Sequence, residues 1–227
     1  MIPRCPSIDK RIFEVLTRLE EQSRKEKSGE VKVKHKDAML AISFDTGIFF
    51  NILLKASKAK RILEVGTSTG YSTLWFADAV MSMGQRQNSQ RLQDRKFITT
   101  IESNRSKVRR AEKNFSDAGV DSIVQIIQGQ ARSVLHSISK DPEAGKPGDL
   151  FDFVFLDADK ENLPTYFNIV LSLVKPGGII STDNMLYPEE LRPQMQRFAK
   201  YIRKLPNVQS VTVPIGNGEE ISMKLVE

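Results

Sequence analysis

The stretch from Arg61 to Ser72, R-I-L-E-V-G-T-S-T-G-Y-S, limits the possible folds more than any other part of the chain. Ile62, Leu63 and Val65 form a short apolar run, as expected of a parallel strand buried on both faces. Gly66 and Gly70 bracket a tight turn, and Tyr71 to Val80 reads as a helix. In such a strand–loop–helix unit, glycines let the backbone approach a ligand where a Cβ would clash. Open α/β sheets bind their ligands beyond the carboxyl ends of the strands. Glu64 distinguishes this unit from a plain structural turn. A carboxylate inside an apolar strand is costly unless something pairs with it, so Glu64 joins Gly66 as a candidate binding residue.

The E-x-G-x-x-x-G run resembles the S-adenosylmethionine loop of class I methyltransferases more than the G-x-G-x-x-G dinucleotide fingerprint. The 227 residues suit one α/β domain with a full core and are few for two. No apolar run approaches a membrane span, and M-I-P-R-C-P-S lacks the apolar stretch of a secretory signal. The single cysteine, Cys5, permits no intrachain disulfide, so a cytoplasmic location is expected. The net charge of +6 is local. Glu21–Lys36 and Gly84–Lys96 each contribute +3, and the other positions balance at 24 against 24. A solvated face outweighs nucleic acid as the reading of both segments.

Ser7 can cap a first helix with Ile8, Ile12, Val15, Leu16 and Leu19 on one face, ended by the polar run from Glu21 to Glu30. A second helix is expected from Asp45, carrying Ile48, Phe49, Ile52 and Leu53 toward Lys55. Residues 1–57 read as a helical cover on a core formed by 58–227. Leu74, Ala77, Val80 and Met81 line the helix after the glycine loop, and Gly84–Lys96 reads as a polar surface loop. Strands are expected at Phe97–Ile101, Ile123–Ile127, Phe151–Leu156 and Ile179–Thr182. Helices are expected around Val108–Phe115, closed by Gly119, and at Leu163–Val174. Asp141–Asp149 reads as a loop by its Pro and Gly content. Leu191, Met195, Phe198, Ile202 and Leu205 line a last helix, and Val208–Val213 with Ile221–Val226 form a hairpin. The pattern predicts one open, mostly parallel twisted sheet with its last strand antiparallel.

Three strand ends carry acids: Glu102, Asp157 and Asp183. A carboxylate at Glu102 can take both hydroxyls of a ribose. It lies 32 residues after Gly70, beyond the ~20 usual in dinucleotide folds, and the Gly84–Lys96 loop accounts for the excess. The runs L-D-A-D-K-E-N from Leu156 and T-D-N from Thr182 place Asp157, Asp183 and Asn184 at strand ends. Their three oxygens are the hard ligands that Mg²⁺ or Ca²⁺ prefers. Helix caps at Asp157 or Asp159 and an Asx-turn at Asp183-Asn184 are the structural alternatives. Neither His35 nor His136 has a zinc-ligand spacing. Lys160 is by default a solvated lysine, three residues past a candidate metal ligand.

These segments, together with V-K-P-G-G-I-I-S-T-D-N and P-I-G-N-G, resemble the cation-dependent O-methyltransferases of the catechol and caffeoyl-CoA type. The likeness runs from about Met39 to the C-terminus. It implies a Rossmann-like class I methyltransferase fold with a seven-stranded sheet, and a homodimer. It further implies that Asp157, Asp183 and Asn184 hold the cation, with Mg²⁺ expected and Ca²⁺ or Mn²⁺ possible alternatives. Lys160 would be the general base and Glu102 would bind the ribose of S-adenosylmethionine. Gly66, Ser68, Ser72, Ala131 and Asp159 would line the cofactor pocket, with Met39 and Ser43 contributing from the helical cover. The sequence departs from the family in three places. Phe44-Asp45-Thr46-Gly47-Ile48 replaces an acid–Glu–Gly–Gln run, Gly84–Lys96 is long, and Glu219-Glu220 replaces a more apolar pair. These departures bear on the substrate lid and specificity.

The expected function is methyl transfer from S-adenosylmethionine to a catechol or similar vicinal aromatic diol. Two alternatives remain: an RNA methyltransferase, favoured by charge but lacking an aromatic platform, and a cofactor-binding protein without turnover.

Overall fold

The structure, a computed structural model, describes residues 7–84, 97–141 and 149–225. Cys5, residues 85–96 of the expected surface loop, 142–148 of the Asp141–Asp149 loop and Val226 lie outside the described residues. The strands form a seven-stranded sheet. The chain packs as two compact units, residues 1–58 with 67–128 and residues 59–66 with 129–227. Among the described residues no helix is long and apolar enough to cross a membrane.

The first unit begins with α1, Lys10–Ser28, in which Ile12, Val15, Leu16 and Leu19 are buried as expected, whereas Ile8, expected on the same face, lies before the helix and is half-exposed. Its cap is Asp9, not Ser7: the Asp9 carboxylate accepts from the Arg11 and Ile12 N–H groups. An anionic acceptor suits the positive end of a helix. The polar run from Glu21 does not end the helix, which continues to Ser28 and closes on Gly29. Glu, Gln, Arg and Lys are good helix formers, and solvated residues can extend a helix past its apolar stripe.

The next helix, α2, spans Phe44–Ser57 and is capped by Ser43, not Asp45. The expected inner face is also corrected. Phe50, Asn51 and Leu54 are buried, whereas Ile48, Phe49 and Leu53 are half-exposed and Ile52 is 61% exposed. A polar network turns the helix this way. Asn51 Nδ2 donates to the Trp75 carbonyl and to Asp78 Oδ2 at 3.0 and 2.9 Å, and Lys55 Nζ lies 2.8 Å from the same carboxylate oxygen. Buried polar groups that are fully partnered can sit inside, and hydropathy alone does not foresee that. Asp78 and Trp75 belong to α3, Tyr71–Gly84. The unit is completed by β2 (Ile98–Glu102), α4 (Arg105–Ala118, capped by Asn104 and Gly119) and β3 (Val124–Gln128), which pairs parallel with β2.

The second unit contains β1 (Ile62–Val65), β4 (Phe151–Leu156) and β5 (Val174–Thr182), paired in parallel. β5 starts earlier than expected, taking in Lys175–Gly178 with a register break against β4. Between β1 and β4 lies α5, Ala131–Ser139, which the sequence reading did not foresee. It is short, has no side-chain cap at Gln130 and buries only Leu135, so its periodic signal is weak. α6 (Leu163–Leu173) and α7 (Arg192–Ile202) follow as expected, although Leu191 and Leu205 fall outside α7. The hairpin of β6 (Val208–Val213) and β7 (Glu219–Lys224) closes the unit, with β7 antiparallel to both β5 and β6.

Candidate active site

In the first unit, the loop after Thr67 is bound to the end of β2. Thr67 N–H donates to the Ile101 carbonyl, and the Thr67 and Thr100 hydroxyls are 2.6 Å apart. Ser68 adopts φ 48°, a left-handed conformation, and its N–H donates to Glu102 Oε2 at 2.8 Å. Glu102 Oε1 accepts the Asn104 N–H at 2.8 Å. Each carboxylate oxygen is thus fixed by one backbone donor and keeps lone pairs for another, so the group is oriented before any ligand arrives. Ribose hydroxyls fit such a half-exposed acceptor pair.

The Ser68 hydroxyl donates to the carbonyl of Met39, whose own N–H donates to Glu26 Oε2 at 2.8 Å. Met39, Ser68 and Glu102 therefore form one connected set. Ser43 stands apart from them. Its hydroxyl accepts from Thr46 N–H and pairs with the Thr46 hydroxyl, so it serves first as a helix cap. Ser72 is buried near the start of α3. Gly70, at φ 87°, leaves no room for a side chain, because a Cβ there would lie 2.4 Å from the Phe115 ring.

In the second unit, Glu64 is fully buried in β1. Gly66 has φ 111°, and a Cβ there would lie 2.0 Å from the Asp157 carbonyl oxygen. Only glycine permits this approach of two strand ends. Asp157 N–H continues the ladder to the Val65 carbonyl, and Asp183 N–H continues it to the Leu156 carbonyl. Asp157 and Asp183 are therefore neighbours at the carboxyl ends of β4 and β5. Lys160 Nζ lies 3.3 Å from Asp157 Oδ1, with the two side chains only 12% and 23% exposed. Gln194 Nε2 holds the Lys160 carbonyl at 2.9 Å.

Asp183 is buried, and its carboxyl is pushed up to about 7. Burial is the main cause and the Asp157 charge adds to it, against a smaller pull from Lys160, a hydrogen bond with Glu219 and the Asn184 N–H. Asn184 itself has φ 65°, which asparagine tolerates better than most residues. The structural alternatives weighed for these acids are absent in their usual form. Asp159 makes no side-chain cap bond; its oxygens accept from the Tyr166 hydroxyl and Asn162 Nδ2. Asp183 Oδ1 takes the N–H of the very next residue at 2.5 Å. Ala131 begins α5.

The residue types suit an oxygen-seeking cation. The Asp157 and Asp183 carboxylates stand at neighbouring strand ends, Asn184 follows the second, and burial first and the Asp157 charge second hold the Asp183 carboxyl toward its neutral form. Among the described residues no three His, Cys, Asp or Glu side chains form a complete cage, so the amide and exchangeable ligands would have to complete the coordination.

One further acid at this edge escaped attention as a site residue. Glu219 is fully buried at the start of β7, and its Oε2 accepts from the Ser181 hydroxyl at 2.8 Å. Its carboxyl is pushed up well above the ordinary range by burial and by the Asp183 charge. The antiparallel register that pairs Thr182 with Glu220 is what sets Glu219 beside Asp183. Hairpin register depends on the turn, so this neighbour was not readable from the motif spacing.

Comparison with known proteins points the same way as the geometry. The O-methyltransferase family profile matches residues 17–225. The chain is 30% identical to a caffeoyl-CoA O-methyltransferase of Petroselinum crispum over 211 residues, 86% of this chain and 81% of that protein. It is 31% identical to a flavonoid 3',5'-methyltransferase of Vitis vinifera over 208 residues, 85% of this chain and 82% of the other. An O-methyltransferase from Bacillus cereus, solved with S-adenosylhomocysteine, superposes with a TM-score of 0.71 at 25% identity, covering 99% of this chain and 93% of that one. The chain belongs to the O-methyltransferase family.

Proposed function

We propose that this O-methyltransferase is cation-dependent and methylates one hydroxyl of a catechol-like vicinal diol. Its methyl donor is S-adenosylmethionine, whose demethylated product occupies the Bacillus cereus relative. The observation that carries the reading is the meeting of Asp157, Asp183 and Lys160 at adjacent strand ends. Plant relatives named for caffeoyl-CoA and flavonoid methylation support a phenolic acceptor.

Glu102, fixed by Ser68 and Asn104, holds the ribose hydroxyls and so places the donor. Asp157, Asp183 and Asn184 would supply three oxygens to a divalent cation, leaving it open positions for a chelating acceptor. When bound there, a divalent cation would lower the pKa of the acceptor hydroxyl and orient its oxygen. Lys160 is now paired with Asp157. Once that carboxylate is engaged elsewhere, Lys160 is the group placed to take the hydroxyl proton. The acceptor oxygen then forms its bond to the methyl carbon as the carbon–sulfur bond breaks. S-adenosylhomocysteine leaves, and the proton stays on Lys160 until solvent removes it.

Labelled S-adenosylmethionine offered with catechols, monophenols and bulk RNA, in EDTA and in Mg²⁺, tests the proposal. Catechol methylation that stops in EDTA and returns with Mg²⁺ is expected. A monophenol should react poorly, having one oxygen to offer. Full activity after exhaustive metal removal, or RNA as the favoured acceptor, would overturn it.

A further inference from the structure

Residues 38–43 form neither helix nor strand, yet Met39 among them is only 1% exposed. Buried backbone groups need partners, and both of Met39's come from side chains. Its N–H donates to Glu26 Oε2 at 2.8 Å, and its carbonyl accepts from the Ser68 hydroxyl. The Ser68 N–H in turn orients Glu102. Whatever fixes Glu26 therefore sets where the Met39 carbonyl meets the glycine loop.

Arg110, on α4, fixes it. Its Nη2 lies 3.5 Å from Glu26 Oε1, with the two side chains 30% and 7% exposed. Its Nη1 donates to the Asp37 carbonyl at 2.7 Å. Gln22 Nε2 supports the same Glu26 oxygen at 2.7 Å. One guanidinium thus holds the segment on both sides of Ala38, directly at Asp37 and through Glu26 at Met39. A planar fork can serve two acceptors at fixed angles, which the point charge of a lysine does less well. The backbone at the far end is correspondingly constrained. Leu40, next to Met39, has φ 45° and Ser68 has φ 48°. Non-glycine residues keep this left-handed conformation only where surrounding contacts impose it. Every residue in this series of contacts belongs to the first unit.

We propose that Arg110 is a positioning residue for S-adenosylmethionine. It locks segment 37–39 against α1, so that Met39 holds Ser68 in the conformation that presents Glu102 to the ribose. The inference rests on the reading of Met39, Ser68 and Glu102 as cofactor-binding residues.

The test is calorimetric titration of the full-length protein with S-adenosylhomocysteine, alongside thermal unfolding of each variant. Arg110→Gln and Glu26→Gln are each expected to weaken binding about tenfold, within the span of couplings carried through packed networks. The double variant should bind about as well as the weaker single, because both residues act on one segment. Arg110→Lys should recover part of the loss, and it keeps the test open if Arg110→Gln does not fold. Lys55→Met is the control. It removes another half-buried cation from an ion pair in the same unit, Lys55 with Asp78, and should lower the melting temperature while leaving affinity within about twofold. Wild-type affinity in a folded Arg110→Gln, or an equal loss in Lys55→Met, overturns the proposal. Glu102→Ala separates the two readings. If it binds as wild type does, the ribose assignment fails and Arg110 falls with it. If it weakens binding and Arg110→Gln does not, only the role of Arg110 is lost.

Discussion

The two units handle their candidate functional carboxylates in opposite ways. On the Glu102 side, both oxygens are fixed by backbone donors, and the residues around it are linked through Ser68 and Met39. On the Asp157–Asp183 side, acids are set against acids, one buried oxygen has no partner, and Lys160 is the cation that lies within 4 Å of Asp157. The first half is satisfied before its ligand arrives, because a ribose only adds hydrogen bonds to an acceptor already in place. The second carries an internal electrostatic cost that a bound cation would relieve. A neutral, hydrogen-bonded group can be recognised by a preformed site at little cost to folding. A doubly charged cation needs concentrated opposite charge, and that charge destabilises the empty protein.

The largest effect expected to sharpen this contrast comes from the lysine. Lys160→Met should reduce turnover by roughly 10²–10⁴-fold, the range for loss of a general base, while S-adenosylmethionine affinity measured by calorimetry stays near wild type. Turnover at the wild-type level would return Lys160 to the role of a simple ion-pair partner.

A smaller effect is expected on the satisfied side. Glu102→Ala should weaken S-adenosylmethionine binding by about 1.5–3 kcal/mol, the worth of hydrogen bonds to a charged group, or roughly 10–150-fold. NAD should not compete in the same titration. Since Glu102 also anchors Ser68 and Asn104, the thermal midpoint must be measured alongside; unchanged affinity in a folded variant would break the assignment.

The smallest effect is a pH dependence confined to the crowded side. Asp183 has its folded-state pKa pushed up to about 7, against about 3.9 for an unfolded aspartate. Its contribution to stability is therefore fully present below about pH 4 and is lost as pH rises toward 7. In EDTA the melting temperature should fall by several degrees across that window, and saturating Mg²⁺ should flatten the fall. Asp152 runs the other way and in a different window. Burial raises its carboxyl, but Lys175 and the Arg61 and Lys60 N–H groups outweigh this and hold it below the ordinary value. Its contribution is lost only in stronger acid, as pH drops through its lowered pKa. Differential scanning calorimetry from pH 4.5 to 8 isolates the first effect, and a flat profile in EDTA would remove the basis for the contrast.

What the sequence determined by itself is local. The apolar run before Gly66 specified β1, and the periodic stripes specified α1, α4 and α7, because 3.6-residue spacing is set by backbone geometry. The acids at Glu102, Asp157 and Asp183 could be placed at strand ends because the strands themselves were readable. Caps were less legible: Asp9 and Ser43 serve where Ser7 and Asp45 were expected, since several residues nearby could accept the same N–H groups. Only the tertiary structure decided which face of α2 turns inward, because Asn51, Lys55 and Asp78 satisfy one another only once α2 and α3 are packed. It alone decided that Glu219 stands beside Asp183 while Glu220 meets Arg203. That choice depends on hairpin register across 35 residues of intervening chain, and a register shifted by one residue would exchange the two glutamates between the faces of the sheet.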